Sequence, residues 1–328
     1  MTRNHSTLTK VITKKRSALV WAVPAAVLCG AGVATQSRIN GALGAELEDG
    51  FLAALVSFAS GLVILLLIVL FFRPGREGIV RLRGAIVSRE IPWWYAMGGA
   101  AGALFVLSQG LASAVLGVAL FSIGAVCGLM ISGIAMDRIG IGSTKPRLIT
   151  PQRIVGGVLA LGAVALAGSS ELHVTTAPWL YLLPFVAGLG LGWQQAVNGQ
   201  IRSLTNALTA TFGNFLVGTL VLAMCAAIHL AIVGVPDGWP SNPVLYLGGL
   251  VGAIFVALSA VVVGVTGVLL ITLCTTSGQL RMSIVLDLVV PVEGHELAWT
   301  TYAGVVLALA AVVIVVLSGR EPKAPTAS

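Results

Sequence analysis

Charge is scarce in this chain. Only 9% of its 328 residues are Asp, Glu, Lys or Arg, where soluble domains carry roughly a quarter. Only 12 residues are acidic, and none of them falls in the middle of a long apolar run. Cysteine is limited to Cys29, Cys127, Cys225 and Cys274, each inside an apolar run. Their spacings fit no zinc, thioredoxin-like or haem pattern, so they read as small core residues. The histidines (His5, His173, His229, His295) are scattered, and neither His-Glu-x-x-His nor Gly-x-Ser-x-Gly occurs. With no nucleophile–base pair and no metal-ligand group, an enzyme, a bound metal and a cofactor are all unexpected. A soluble globular domain, a disulfide scaffold and a disordered chain are excluded on composition alone.

Apolar residues are what the chain has in abundance, at 57%, with 40 glycines and a mean hydropathy of +0.99. Period-two alternation in segments of ~10 residues, the mark of a membrane barrel, is absent. The expected fold is therefore all-α and integral to a membrane. Ten spans are expected near residues 18–37, 51–72, 92–112, 115–136, 152–169, 178–197, 209–233, 243–263, 265–286 and 298–318. Residues 243–286 are apolar almost throughout. That run is too long for one crossing, which needs about 20 residues, and suits two with a tight turn. The basic segment 1–17 and the Pro-rich segment 319–328 flank the spans, the first leading into a retained helix and not a cleaved signal.

The arginines and lysines orient the chain. With the N-terminus in the cytoplasm, 17 of the 19 fall in inner segments, and only Arg38 and Arg281 fall outside. Such a bias places both termini inside and requires an even span count. The net charge of +7 is thereby explained by the lipid bilayer, and no nucleic-acid partner is implied.

The chain also repeats itself. Gln36-x-x-x-Asn40-Gly41 returns as Gln194-x-x-x-Asn198-Gly199, and Ser57-Phe58-x-x-Gly61 as Asn214-Phe215-x-x-Gly218. Gly98-Gly99-x-x-Gly102 returns as Gly248-Gly249-x-x-Gly252, and Gly128 and Asp137 return as Gly278 and Asp287. The order of the motifs is kept. Five spans per repeat is an odd number, so the second repeat (170–318) enters the membrane from the side opposite to the first (18–169). Inverted repeats of this kind build transporters, with the binding site where the repeats meet.

These residues, together with Pro92-Trp93-Trp94 and Asp137-x-x-Gly140 before Arg153, resemble the YdcZ-type branch of the drug/metabolite transporter superfamily over residues 18–318. The resemblance implies ten helices in two inverted halves and a bacterial inner membrane. It also implies export of a small metabolite or drug-like solute by alternating access. The fused halves supply the internal pairing, so a monomer suffices, with a homodimer as the other assembly. A channel or non-transporting scaffold is the alternative function, although no filter sequence or charged pore lining is visible.

The expected substrate-binding residues are Gln36, Asn40, Gln194, Asn198, Ser57 and Asn214. Gln36 and Asn40 share one helix face, as do Gln194 and Asn198. Amides both donate and accept, which suits an uncharged or zwitterionic solute. Two other readings stay open for them: hydrogen bonding between helices, and a place at helix ends. Ser57, Asn214 and Gln109 serve either as helix contacts or as ligand contacts. Pro24 and Pro184, ahead of the paired glutamines, are expected to bend their helices. His229 is a remote candidate for proton coupling. Asp137 and Asp287 end helices and are expected in ion pairs, Asp137 with Arg138 or Arg153 and Asp287 with Arg281. The glycines spaced by four are expected to bring backbones together.

Overall fold

The computed structural model describes residues 2–141, 150–167, 169, 179–236, 238–289 and 299–318. Side chains are described over 18–108, 124–141, 150–166, 169, 182–236, 238–286, 288–289, 299–300 and 302–317. The side chains of Gln109, Asp287, His5, His173 and His295, and the segment 319–328, lie outside these residues. The described chain is helical: α1 (Thr2–Leu47), α2 (Gly50–Phe71), α3 (Arg73–Val87), α4 (Gly98–Ile139) and α5 (Pro151–Ala167) are followed by α6 (Trp179–Leu204), α7 (Ala207–Val233), α8 (Gly248–Thr266), α9 (Val268–Val289) and α10 (Trp299–Ser318).

The expected spans need two revisions. The first span does not stop at residue 37, because α1 stays helical to Leu47. Gln36, Arg38 and Asn40 interrupt the apolar run without breaking the helix. The basic inner segment after residue 72, which the ten expected spans leave out, holds the amphipathic helix α3, with Pro74 in its first turn, where a missing N–H costs nothing. Pro24 and Pro184 lie inside α1 and α6, as their places in the sequence imply.

The long element α4 holds two spans. Gly98 lies against Val197 and Gly102 against Gln194, while Gly190 lies against Ala101. Farther on, Gly124 meets Pro184, Gly128 meets Phe185 and Gly192 meets Ser132. Rising numbers in α4 therefore meet first falling and then rising numbers in α6. Ala101 and Ser132 would be ~46 Å apart on a straight helix at 1.5 Å per residue. Yet they touch glycines two residues apart on α6. The element must turn back on itself between Gly102 and Gly124. The equivalent turn of the second repeat is the corner at Gly267 between α8 and α9, where φ is 76° and glycine is the natural choice.

The repeats are recognisable atom for atom at their contacts. A Cβ on Gly99 would strike the Asn214 carbonyl oxygen, and one on Gly249 would strike that of Ser57. Gly188 meets the Ala125 carbonyl as Gly30 meets that of Thr275, and Gly128 meets that of Phe185 as Gly278 meets that of Val27. Each glycine contacts the other repeat, so α1 lies on α8 and α9 while α6 lies on the two legs of α4. α5 and α10 pack together as a third group. The helix starts also match: Asp49 caps α2, accepting from Phe51 N at 2.8 Å, and Asn206 caps α7, accepting from Thr209 N at 2.8 Å. The fold is thus ten crossings in two inverted five-helix repeats, with α3 at one face. The α1–α2 turn at Asp49 lies on the opposite face.

Gly99→Ala and Gly249→Ala are each expected to destabilise the protein by about 1–3 kcal/mol, because backbone oxygen occupies the place of the new methyl. Gly41→Ala and Gly84→Ala, where nothing lies within 4 Å, should be neutral or stabilising by about 0.5–1 kcal/mol. Melting temperatures of the four variants in one detergent check the ordering.

Candidate functional site

The six amide and hydroxyl side chains come together as two triads, not as one group. In the first, Gln36 and Asn40 of α1 and Ser57 of α2 surround Gly248 and Gly252 of α8. Gln36 Nε2 donates to the Gly248 carbonyl at 3.1 Å. Asn40 Oδ1 and Ser57 Oγ are buried atoms with no hydrogen-bond partner. In the second triad, Gln194 and Asn198 of α6 meet Asn214 of α7 beside Gly98 and Gly102 of α4. Asn214 Oδ1 accepts from Gln194 Nε2 at 2.8 Å and from Asn198 Nδ2 at 3.3 Å. Gln194 Oε1 is left without a partner.

Glycine makes both triads. Its missing Cβ lets α8 and α4 approach closely, leaving room for the amides, and puts the Gly248 carbonyl within reach of Gln36. A side chain at Gly252 would displace Gln36, and one at Gly248 would displace Asn40. The triads sit on opposite sides of the centre. Asn40 precedes the turn on the Asp49 face, and Asn198 precedes the α6–α7 turn on the α3 face, where Asn206 Nδ2 donates to the Pro74 carbonyl at 2.7 Å. Between them stand Phe58 and Phe215, with ring centroids 5.1 Å apart. Phe215 reaches Gly252 beside Gln36, and Phe58 reaches Gly218 one turn beyond Asn214.

The triads differ in exposure. Gln194, Asn198 and Asn214 are 6%, 3% and 3% exposed, whereas Gln36 and Asn40 are only half-buried. The α3 face carries a matching closure. Asp137, at the end of α4, is 1% exposed and pairs with Arg153 of α5. Its Oδ1 also accepts from Val268 N at 2.7 Å and its Oδ2 from Leu269 N at 3.3 Å. These are the first free N–H groups of α9, so Asp137 caps a helix of the other repeat and favours its positive end. The expected ion pair with Arg153 is present, and the cap is an addition that no local pattern announces.

Sequence reasoning missed other polar groups. Gln195 Oε1 is a further buried oxygen without a partner. Trp94 stacks on Trp193, with centroids 6.1 Å apart, next to the second triad in sequence. α9 carries Thr272, Thr276 and Ser277, all buried. Arg281 is not beyond the span but inside α9, donating to the Ser277 carbonyl at 3.2 Å and its Oγ at 3.0 Å. The Thr-Thr-Ser run was the visible signal. His229 lies 3.5 Å from Asp49 and stacks on Phe51 at 4.5 Å. It is therefore tied to the α1–α2 turn, away from both triads. Among the described residues, no group of three or more His, Cys, Asp or Glu could hold a metal ion.

A family model described as "Putative inner membrane exporter, YdcZ" matches residues 21–166 and again residues 179–314. The chain belongs to the YdcZ family. The double match divides the chain where the glycine contacts do, one match per repeat. The YdcZ family is one of membrane exporters, and this member is a multi-pass inner-membrane protein. A solved structure described only as "Crystal structure of protein" is similar at a TM-score of 0.63, with 16% identity, over 94% of this chain and 99% of its own. At that identity the likeness speaks for the fold alone. No curated protein matches.

Asp137→Ala is expected to cost about 3–5 kcal/mol, because it removes the buried half of an ion pair and leaves the Val268 and Leu269 N–H groups without their acceptor. Arg153→Gln should cost clearly less, since the carboxylate keeps both backbone donors. Thermal unfolding of the pair tests the order; a larger loss in Arg153→Gln would remove the capping role.

Proposed function

We propose that this YdcZ-family chain exports a small uncharged or zwitterionic solute by alternating access, with the two triads as successive halves of its path. The observation that carries the reading is the unequal exposure of two triads built alike. Gln36 and Asn40 are partly open above a buried Ser57, with the Asn40 and Ser57 oxygens unpartnered, while Gln194, Asn198 and Asn214 are buried and joined through Asn214 Oδ1. Inverted repeats convert one arrangement into the other by exchanging conformations.

The moving bodies follow from the packing: α1 with α8 and α9, against α6 with the legs of α4. Residues 18–169 and 170–318 are thus units of sequence and symmetry, with 1–17 and 319–328 as cytoplasmic ends. The Phe58–Phe215 pair separates the two triads and is the barrier the solute passes. Asp137 holds the α3 face shut in the conformation described. Neither triad contains a charge, so binding rests on amide and hydroxyl hydrogen bonds, which are strong away from water. The chemistry is binding and release, with no bond made or broken. α3 and its arginines face the cytoplasm, and one chain carries both halves of the path.

Purified protein should be melted with a library of neutral and zwitterionic metabolites, beside Gln36→Ala/Gln194→Ala. A bound solute at about a hundred times its Kd stabilises by about 2.7 kcal/mol. A hit is expected to stabilise wild type, to lose that effect in the double variant, and to show saturable, competable flux in proteoliposomes. Equal stabilisation of both proteins would move the site elsewhere, and non-saturating flux would favour a channel.

A further inference from the structure

The repeats match element for element except at one place. Between α2 and α4 the chain runs from Phe72 to Met97 and includes α3. The corresponding stretch between α7 and α8, Gly234 to Leu247, is about half as long and contains no Lys or Arg. The second repeat makes its five crossings without any counterpart of α3. The helix is thus an addition to the repeated architecture, confined to one face of the protein.

α3 has two faces. Gly75 rests on Leu208, Gly78 on Thr209 and Asn206, and Leu82 joins the cluster of Ile201, Ala210 and Ala260. The opposite face exposes Val80 and Val87, at 71% and 76%, between Arg73, Arg76, Arg81 and Arg83. Arg76 donates to the Leu70 carbonyl. Residues 73–90 hold five arginines against Glu77 and Glu90. Exposed aliphatic residues flanked by arginines are the pattern of a helix lying in a membrane interface. Trp93 and Trp94, partly or largely exposed, follow it and belong at headgroup level.

A second observation lies where that face ends. At the end of α3 lies a cavity of about 440 Å³ lined by Ile86, Val87, Arg89, Ile91, Pro92 and Trp93. Five of these residues are apolar, and the sole charge is Arg89. The turn that carries Arg89 is held at a φ of 59°, a left-handed conformation uncommon for arginine. It is closed by Glu90 N donating to the Ala85 carbonyl at 2.9 Å. An apolar cavity with a single cation at a membrane interface suits an amphiphile with an anionic head.

We propose that this cavity binds one anionic phospholipid of the leaflet on the α3 face. The phosphate lies on Arg89, the upper acyl chain lies against Ile86, Val87 and Trp93, and Arg81 and Arg83 attract neighbouring anionic headgroups. The second repeat has no counterpart, so the site marks one leaflet only. A zwitterionic lipid satisfies it poorly, because its own ammonium group offsets the phosphate.

Full-length protein in detergent should be titrated with phosphatidylglycerol, phosphatidylethanolamine or inorganic phosphate. Bound lipid is counted by native mass spectrometry, and stability is read by melting. Phosphatidylglycerol is expected to bind at least about fivefold more tightly than phosphatidylethanolamine, and Arg89→Gln to lower its affinity by about fivefold. Val87→Trp fills the cavity from an exposed position and keeps every arginine; it should abolish the preference. Lys10→Gln/Lys14→Gln, which changes charge elsewhere, should leave it unchanged. Melting of each variant without lipid separates lost binding from lost fold. Equal binding of the two lipids, stabilisation reproduced by inorganic phosphate, or an equal loss in the lysine variant would each overturn the proposal.

Discussion

Backbone contact through glycine is the constraint on which this structure depends. At Gly99 and Gly249 no room exists for a single methyl, because a carbonyl oxygen of the other repeat fills the place. Membrane helices gain little from burying apolar surface against each other, since lipid is as apolar as leucine. Close packing and hydrogen bonds must supply the association. The contacts come in symmetry-related pairs, and each pair joins the two repeats. Neither repeat can then be a domain with its own core: α1 is seated in the second repeat and α6 in the first.

The same contacts create the polar chemistry. Amides within a span are costly unless they face protein or water. Here they face glycine, whose bare Cα leaves a carbonyl in reach of Gln36 and leaves Asn40 Oδ1 without any donor. The two triads use the same positions with different residues. Asn214 supplies a side-chain oxygen that ties Gln194 and Asn198 together, whereas Ser57 in its place is too short to tie Gln36 to Asn40. A symmetric scaffold thus carries an asymmetric pair of sites, one tied together through Asn214 and one in which neither the Asn40 nor the Ser57 oxygen is engaged. Asp137 adds a second asymmetry by fastening the α8–α9 corner to α4 and α5.

Much of the fold was legible because the repeat is written in residues that packing leaves no freedom to change. Gly98, Gly99 and Gly102 with their counterparts located the interfaces, and parity gave the inversion. The pairing of Gln36 with Asn40, and of Gln194 with Asn198, followed from helical spacing. Long-range consequences were not legible. Nothing near Asp137 indicates that it caps a helix starting 131 residues later. That the triads face glycines rather than each other depends on which helix is seated in which groove. α3 was hidden for a different reason. Its arginines speak only to orientation and are too many for a span, although Gly75, Gly78, Leu82 and Ala85 mark a packed helical face. α1 outran its apolar run because hydropathy registers the cost of Gln36 and Asn40 but not the glycines that receive them.

Opposite placement of two like sites is the central claim, and sided chemical access tests it most directly. The four cysteines would be replaced, and a single cysteine introduced as N40C or N198C. Each variant would be labelled with a membrane-impermeant thiol reagent in right-side-out and in inverted vesicles. The account predicts that N40C reacts only from the face opposite α3 and N198C only from the α3 face, with conditions that expose one protecting the other. Reaction of both positions from the same face, or simultaneous reaction of both from their own faces, would contradict it.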